Sequence, residues 1–153
     1  MLSIPYIRQT ASGKYTFVSI RFRCIVDHDH KGHGKYMTLP GDRPRMFNTS
    51  ALLGAESEVG ISEGELDAIT ASLCGIPTVG IPGATSWQPH FVQPFEGYET
   101  VFIFADGDEP GMKFATTVAK TLPNSKIIPC PDGMDVNSLV LRDGKRALTD
   151  RIK

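Results

Sequence analysis

The chain has 153 residues, of which 41% are apolar and 22% charged, and a formal net charge of −1. This length supports one ordinary domain with at most a small subdomain, and it excludes a large multidomain enzyme. No segment approaches the ~20 apolar residues of a membrane helix, and no signal peptide is evident at the start, so we expect a cytoplasmic protein without membrane attachment.

The charge is unevenly distributed along the chain. Residues 1–55 carry eight Lys and Arg against three acids, whereas residues 56–153 carry eight against fourteen. This polarity is expected if the first part contacts phosphates and the second holds cations, although chance patterning of solvated faces is the alternative. The three cysteines are odd in number and form no CxxC pair, which favours reduced thiols.

The first part of the chain has the periodicity of β-strands. Residues 14–25, "KYTFVSIRFRCI", alternate between two faces. A polar loop, "VDHDHKGHG", then leads to "KYMTL", a turn at "PGDRPR" and "MFN". We therefore expect residues 1–55 to form a small basic β subdomain with an antiparallel sheet of two to four strands.

From residue 56 onward, short apolar runs alternate with helix-like segments. The runs lie at 58–62, 77–81, 100–105 and 126–130, and the segments between them are "GELDAITASL", a stretch near "TSWQPHFV", and "EPGMKFATTVAKTL". Strands that alternate with helices predict a parallel sheet covered on both faces. The fold class is therefore α/β, with about four parallel strands over residues 56–153.

Two helix starts are predicted from capping residues. Ser62 followed by Glu65 has the spacing of a capping box, and the apolar residues Leu66, Ile69 and Leu73 then repeat at helical spacing. Asp108 is expected to cap a second helix that has Pro110 in its first turn, with a buried side formed by Phe114, Val118 and Leu122.

Carboxylates follow three of the predicted strands. Glu63 follows the first, Asp106 and Asp108 the third, and Asp135 lies just beyond the last. The carboxyl edge of an open parallel sheet is where ligands bind, and crowded carboxylates there favour Mg²⁺ or Mn²⁺. The alternative is structural: Asp108 and Asp135 are helix caps, and Glu63 is an acid in a first helical turn.

Glycines lie beside these acids. Gly64 follows Glu63, and Gly107 separates the two aspartates. Since glycine has no side chain, both residues are expected to allow tight turns and to leave room for a phosphate or a metal.

The two acidic segments resemble a known family. "VGISEGELDA" and "VFIFADGDEPG" are similar to the strands of the Toprim domain, a Rossmann-like fold, that end in Glu-Gly and Asp-x-Asp. "GIPTVGIPGA" and "GMDVNSL" resemble its DNA primase branch, and the N-terminal strands resemble the small basic subdomain that precedes Toprim in primases of actinobacterial phages.

This resemblance implies a primase catalytic core in phage DNA replication. Such a nucleotidyltransferase makes short RNA primers from NTPs on a single-stranded DNA template. It implies that Asp106 and Asp108 carry Mg²⁺ or Mn²⁺, that Glu63 is a metal ligand or general base, and that Asp135 contributes a further carboxylate. The implied partners are a replicative helicase, a separate zinc-binding primase part, or both, in the cytoplasm of the bacterial host.

Several basic residues are candidates for binding the DNA backbone or the triphosphate. Arg21 and Arg23 share one strand face and can act together, although a solvated sheet face is the alternative. The full set of candidates is Arg21, Arg23, Lys35, Arg43, Arg45 and Lys113. Two other functions stay open, a Toprim-type metal-dependent nuclease and a non-catalytic DNA-binding partner of a helicase or primase.

Two further features could have a function, but a purely structural interpretation is favoured for each. Cys24, His28, His30 and His33 are zinc-ligand types, but their spacing matches no standard finger, which favours a solvated loop. Trp87 is able to stack on a base, yet a lone tryptophan near a helix start is more often part of the core.

Overall fold

The computed structural model describes residues 1–83 and 85–153, and these form two compact units, Met1–Arg43 and Pro44–Lys153. The sequence places the boundary later, between residues 55 and 56. The structure divides the chain earlier because Phe47 pairs with Gly80 of the larger unit, through hydrogen bonds from Phe47 N to Gly80 O (2.8 Å) and from Gly80 N to Phe47 O (3.1 Å). The expected place of "MFN" in the small sheet is therefore wrong.

The first unit is a three-stranded antiparallel sheet. Its strands are β1 (Leu2–Gln9), β2 (Tyr15–Arg23) and β3 (Tyr36–Thr38), in the order β1-β2-β3. A tight turn joins the first two strands, where Thr10 N donates to Lys14 O at 2.7 Å. The predicted small antiparallel sheet is confirmed.

The second unit contains a four-stranded parallel sheet. Its strands are β4 (Glu58–Ser62), β5 (Thr78–Gly80), β6 (Thr100–Ala105) and β7 (Ser125–Pro129), in the order β5-β4-β6-β7. Strands β4 and β6 are central and almost entirely buried, as their continuous apolar runs predict. The α/β fold class with about four parallel strands is confirmed.

Helices cover both faces of this sheet. They are α1 (Ala51–Gly54), α2 (Glu65–Leu73), α3 (Glu109–Ala119), α4 (Val136–Asp143) and α5 (Lys145–Thr149). Two short 3₁₀ turns, Pro89–Phe91 and Gln93–Phe95, lie in and just after the stretch near "TSWQPHFV". Within the described part of the chain, no helix is both long and apolar enough to cross a membrane.

Alternate residues of β6 supply two hydrophobic cores. Val101, Ile103 and Ala105 pack with α3, whereas Phe102 and Phe104 pack in a second cluster with residues of α4 and α5. This alternation follows from the two-residue period of a strand. The predicted buried side is confirmed, since Phe114 and Val118 on α3 and Leu122 just after its end are at most 1% exposed.

The apolar residues that repeat at helical spacing do not form the buried face of α2. Leu73 is 80% exposed and Ile69 is 38% exposed, while Ala68 and Ala71 are buried. Ala68 lies where the helix approaches the sheet closely, since a Cβ added at Gly80 would lie 3.4 Å from Ala68 Cβ. The helix also begins at Glu65 with Gly64 as N-cap and no side-chain cap, so the predicted capping box is absent.

Candidate metal and active site

The strand order brings the predicted acidic residues to one edge of the sheet. Strand β6 lies between β4 and β7, and all three run in the same direction. Glu63 follows β4, Asp106 and Asp108 follow β6, and Asp135 lies in the connection after β7. Four carboxylates therefore come from three adjacent strand ends.

Two of these carboxylates also cap helices. Asp108 Oδ1 accepts a hydrogen bond from Gly111 N (2.7 Å) at the start of α3. Asp135 Oδ1 accepts one from Ser138 N (2.6 Å), completing a capping box at the start of α4. These caps fix where each carboxylate lies, and each still has a second oxygen, so a cap and a metal ligand are compatible roles for one side chain.

Gly107 is a packing residue. A Cβ at this position would overlap the carbonyl oxygen of Pro131, and Gly107 N donates to Met134 O at 2.8 Å. Gly133 N donates back to Gly107 O at 2.7 Å. The expectation that Gly107 leaves room for a metal or phosphate is wrong, because the loop after β7 fills that space. The same contact holds the loop that leads to Asp135 against the end of β6.

The carboxylates are close enough to disfavour one another's charge. Burial raises the pKa of Asp106 to about 7, with added contributions from Asp67, Glu63, Asp135 and Asp108. Burial also raises the pKa of Glu63, and Asp108 and Asp67 contribute to the shift. Holding several carboxylates this close together is electrostatically unfavourable, and a bound cation would offset that repulsion.

Asp67 is a member of this cluster that the sequence analysis missed. It lies in the first turn of α2, is 7% exposed, and accepts a hydrogen bond from Asn137 N at 3.0 Å. A Cβ on Gly64 would lie 2.6 Å from Asp67 Oδ2, so glycine at 64 makes room for this carboxylate. The signal available in the sequence was an acid in the first turn of a helix that begins at the acidic edge.

A pocket of about 320 Å³ opens beside the two aspartates. Burial raises the pKa of its Cys130 to about 12, so this thiol is neutral at physiological pH and is not a thiolate nucleophile. The residues that line the pocket are Asp106, Gly107, Asp108, Glu109, Met112, Pro129, Cys130 and Asp132.

The donor set fits Mg²⁺ or Mn²⁺. Hard carboxylate oxygens surround the edge, and the raised pKa of Asp106 marks the charge that a divalent ion would neutralise. Glu63, Asp106, Asp108 and Asp135 are the residues that would hold the ion.

The basic candidates lie in both units. Arg21, Arg23, Lys35 and Arg43 belong to Met1–Arg43, whereas Arg45 and Lys113 belong to the larger unit. Arg21 and Arg23 contact the same Tyr36 ring, with guanidinium carbons 5.1 and 5.3 Å from its centroid. The structure thus brings these two arginines together, as their spacing on β2 predicts. Lys113 is exposed on α3.

Trp87 belongs to the core. It packs against the main hydrophobic cluster, with its ring edge-on to Phe91 and tilted against Phe95. Its Nε1 donates to Thr121 Oγ1 at 3.2 Å. These contacts favour packing over base stacking.

The family follows from this site and fold. A family model described as Toprim-like matches residues 60–140, more than half of the chain. The chain therefore belongs to the Toprim-like family. One relative, the Gene 57 protein of Mycobacterium phage D29, is 57% identical over 151 residues, which cover 99% of this chain and 97% of that protein.

Solved primase structures share the fold. A DNA primase domain from Pseudomonas aeruginosa has a TM-score of 0.76 at 22% identity, over 98% of this chain and 50% of that one. The RNA polymerase domain of Mycobacterium tuberculosis primase DnaG has a TM-score of 0.72 at 23% identity, over 98% and 54%. A DnaG catalytic domain bound to single-stranded DNA has a TM-score of 0.76 at 23% identity, over 98% and 51%. The chain spans about half the length of these solved chains.

Proposed function

We propose that this chain is the catalytic core or subunit of a phage primase, a nucleotidyltransferase that makes short RNA primers on single-stranded DNA. The observation that carries this proposal is the convergence of Glu63, Asp106, Asp108 and Asp135 at the ends of three adjacent parallel strands. Membership of the Toprim-like family and the fold shared with primase cores support it.

The four acidic residues would have different roles in the reaction. Asp106, Asp108 and Asp135 would hold the divalent ion, which neutralises phosphate charge and polarises the attacking 3′-hydroxyl when bound. Glu63 would join them as a ligand, or its carboxylate would accept the proton of that hydroxyl. A raised pKa suits the second role, because a stronger base takes a proton more readily.

A primer-synthesis assay tests the proposal. The full chain is incubated with single-stranded DNA, labelled NTPs and Mg²⁺ or Mn²⁺, alone and with a replicative helicase or a zinc-binding primase part. Template-dependent RNA oligomers are expected, and the double variant Asp106→Asn, Asp108→Asn should make none. Asparagine is itself a good N-cap, so this change removes charge while keeping the start of α3.

The assay also separates the competing functions. Shortened DNA or RNA without new oligomers would indicate a nuclease that uses the same acids. Binding of single-stranded DNA without any product, even with the partners present, would indicate a non-catalytic module. Asp143→Asn is the matched control, because Asp143 is a carboxylate paired with Arg142, away from the site. An active double variant would overturn the site assignment.

A further inference from the structure

The loop between β2 and β3 gathers three histidines and a cysteine. This loop, residues 24–35, contains no helix or strand, and a hydrogen bond from Cys24 N to Lys35 O (2.9 Å) closes its base. Cys24 Sγ, and one ring nitrogen each of His28, His30 and His33, all lie within 4.8 Å of one another. Soft and borderline donors of this kind suit zinc rather than magnesium.

Two of the separations between the donor atoms match those of a tetrahedral metal site. Zinc–ligand bonds of about 2.0–2.3 Å place ligand atoms about 3.3–3.6 Å apart around the ion. Cys24 Sγ lies 3.3 Å from His28 Nε2, and His30 Nδ1 lies 3.5 Å from His33 Nε2. Both pairs therefore already have the separation that zinc requires.

The loop has little else to hold it in place. Ile25 and Val26 are 67% and 61% exposed, so its apolar residues do not form a core. Within Met1–Arg43, the buried apolar side chains are Ile4 and Tyr6, both on β1. A unit of this size with so small a core is the kind that commonly depends on a metal or a disulfide.

We propose that Cys24, His28, His30 and His33 bind one Zn²⁺ ion that fixes the β2–β3 loop. Four protein ligands fill a tetrahedral shell, which is typical of a structural rather than a catalytic zinc. On binding, the Cys24 thiol loses its proton to solvent and coordinates as the thiolate. This site is separate in chemistry from the carboxylate site, and it does not rest on the proposed primase function.

Metal content tests the proposal directly. The full, untagged chain is purified without chelators and its zinc is measured by mass spectrometry, before and after incubation with Zn²⁺ and desalting. One zinc per chain is expected. Cys24→Ser and His30→Ala should each lower the stoichiometry, whereas His90→Ala, which removes the histidine outside the loop, and the double variant Asp106→Asn, Asp108→Asn should retain it.

Cobalt substitution tests the ligand set without relying on variants that fold poorly. The full chain with Co²⁺ should show the intense visible bands of a tetrahedral site together with a thiolate charge-transfer band in the near ultraviolet. Zinc should displace both. Weak octahedral bands, zinc content below one per chain after incubation with Zn²⁺, or an equal loss in His90→Ala would each overturn the proposal.

Discussion

The backbone of Pro131 lies against the Cα of Gly107, in the place that any larger side chain at residue 107 would fill. This contact joins the end of β6 to the loop after β7, and reciprocal backbone hydrogen bonds with Met134 and Gly133 reinforce it. Asp106 and Asp108 flank the contact on one side, and Asp135 follows the loop on the other. The glycine is therefore a determinant of how the acids are spaced.

Gly107→Ala should destabilise the protein and disorganise the acidic edge. The added methyl meets backbone atoms, which cannot rotate away, so we expect a loss of about 2 kcal/mol in unfolding free energy, measured by urea denaturation. Gly97→Ala is the control, because a Cβ there meets nothing within 4 Å. A Gly107→Ala protein as stable as this control would contradict the packing role.

Asp106→Asn should stabilise the metal-free protein at pH 8 while weakening its binding of Mg²⁺. The neutral amide removes the cost of burying a charge and the repulsion from Asp67 and Glu63, which we expect to raise unfolding free energy by about 1–2 kcal/mol after allowing for solvent screening. Asp143→Asn is the control, and it should lower the unfolding free energy, because Arg142 donates two hydrogen bonds to that carboxylate. Chemical denaturation and magnesium titration measure the two effects.

The same carboxyl predicts how stability depends on pH. The pKa of Asp106 is about 7 in the folded protein and has an ordinary value of 3.8, so between these pH values the folded state holds a proton that the unfolded state has lost. Unfolding free energy of the metal-free chain should therefore fall as pH rises through this window. Denaturation of wild type and Asp106→Asn at several pH values isolates the contribution, and parallel profiles for the two proteins would exclude it.

The sequence predicted the elements correctly where the hydrophobic pattern of a segment matches the way that segment is buried. Continuous apolar runs predicted β4 and β6 because both strands are covered on two faces, and the caps at Asp108 and Asp135 have local signatures. The inner face of α2 was not predictable from its own pattern. Its larger apolar residues repeat at helical spacing, but the buried positions are taken by Glu65, Asp67, Ala68 and Ala71, and Ala68 lies where the helix comes close to Gly80.

Neither the membership of Asp67 in the acidic cluster nor the close approach of Cys24 and the three histidines could be predicted from local sequence patterns. Asp67 joins the acidic cluster only because β4 lies beside β6, and strand order is not encoded in any single segment. The Cys24 and histidine cluster has no standard spacing, and its geometry emerges when the loop closes at Lys35. Local patterns predict elements and their ends, whereas the meeting of distant side chains depends on tertiary packing.

Asp67 variants separate charge from hydrogen bonding. Asp67→Asn keeps an oxygen that can accept from Asn137 N, so we expect near-normal stability but weaker magnesium binding. Asp67→Ala leaves the start of α4 without that acceptor and should cost about 1–3 kcal/mol in unfolding free energy. Urea denaturation and metal titration of both variants provide the comparison, and equal stability losses would argue against the hydrogen bond as the structural role.

Arg21 and Arg23 should act as a pair in binding single-stranded DNA. Both guanidinium groups contact Tyr36, so their charges are held close together on β2. Each phosphate contact contributes about 0.7 to the slope of log affinity against log salt concentration, so replacing both arginines with glutamine should reduce that slope by roughly 1–1.5. Fluorescence anisotropy with a labelled oligonucleotide at several salt concentrations measures it.

Arg142→Gln is the matched control for this pair. Arg142 is also a partly exposed arginine, but its charge is engaged by Asp143 on α4, so the salt slope should stay at the wild-type value. An equal fall in both variants would mean that binding follows total charge rather than a defined patch. The double variant Asp106→Asn, Asp108→Asn should retain the wild-type slope in the absence of metal, because removing anions takes away no phosphate contact.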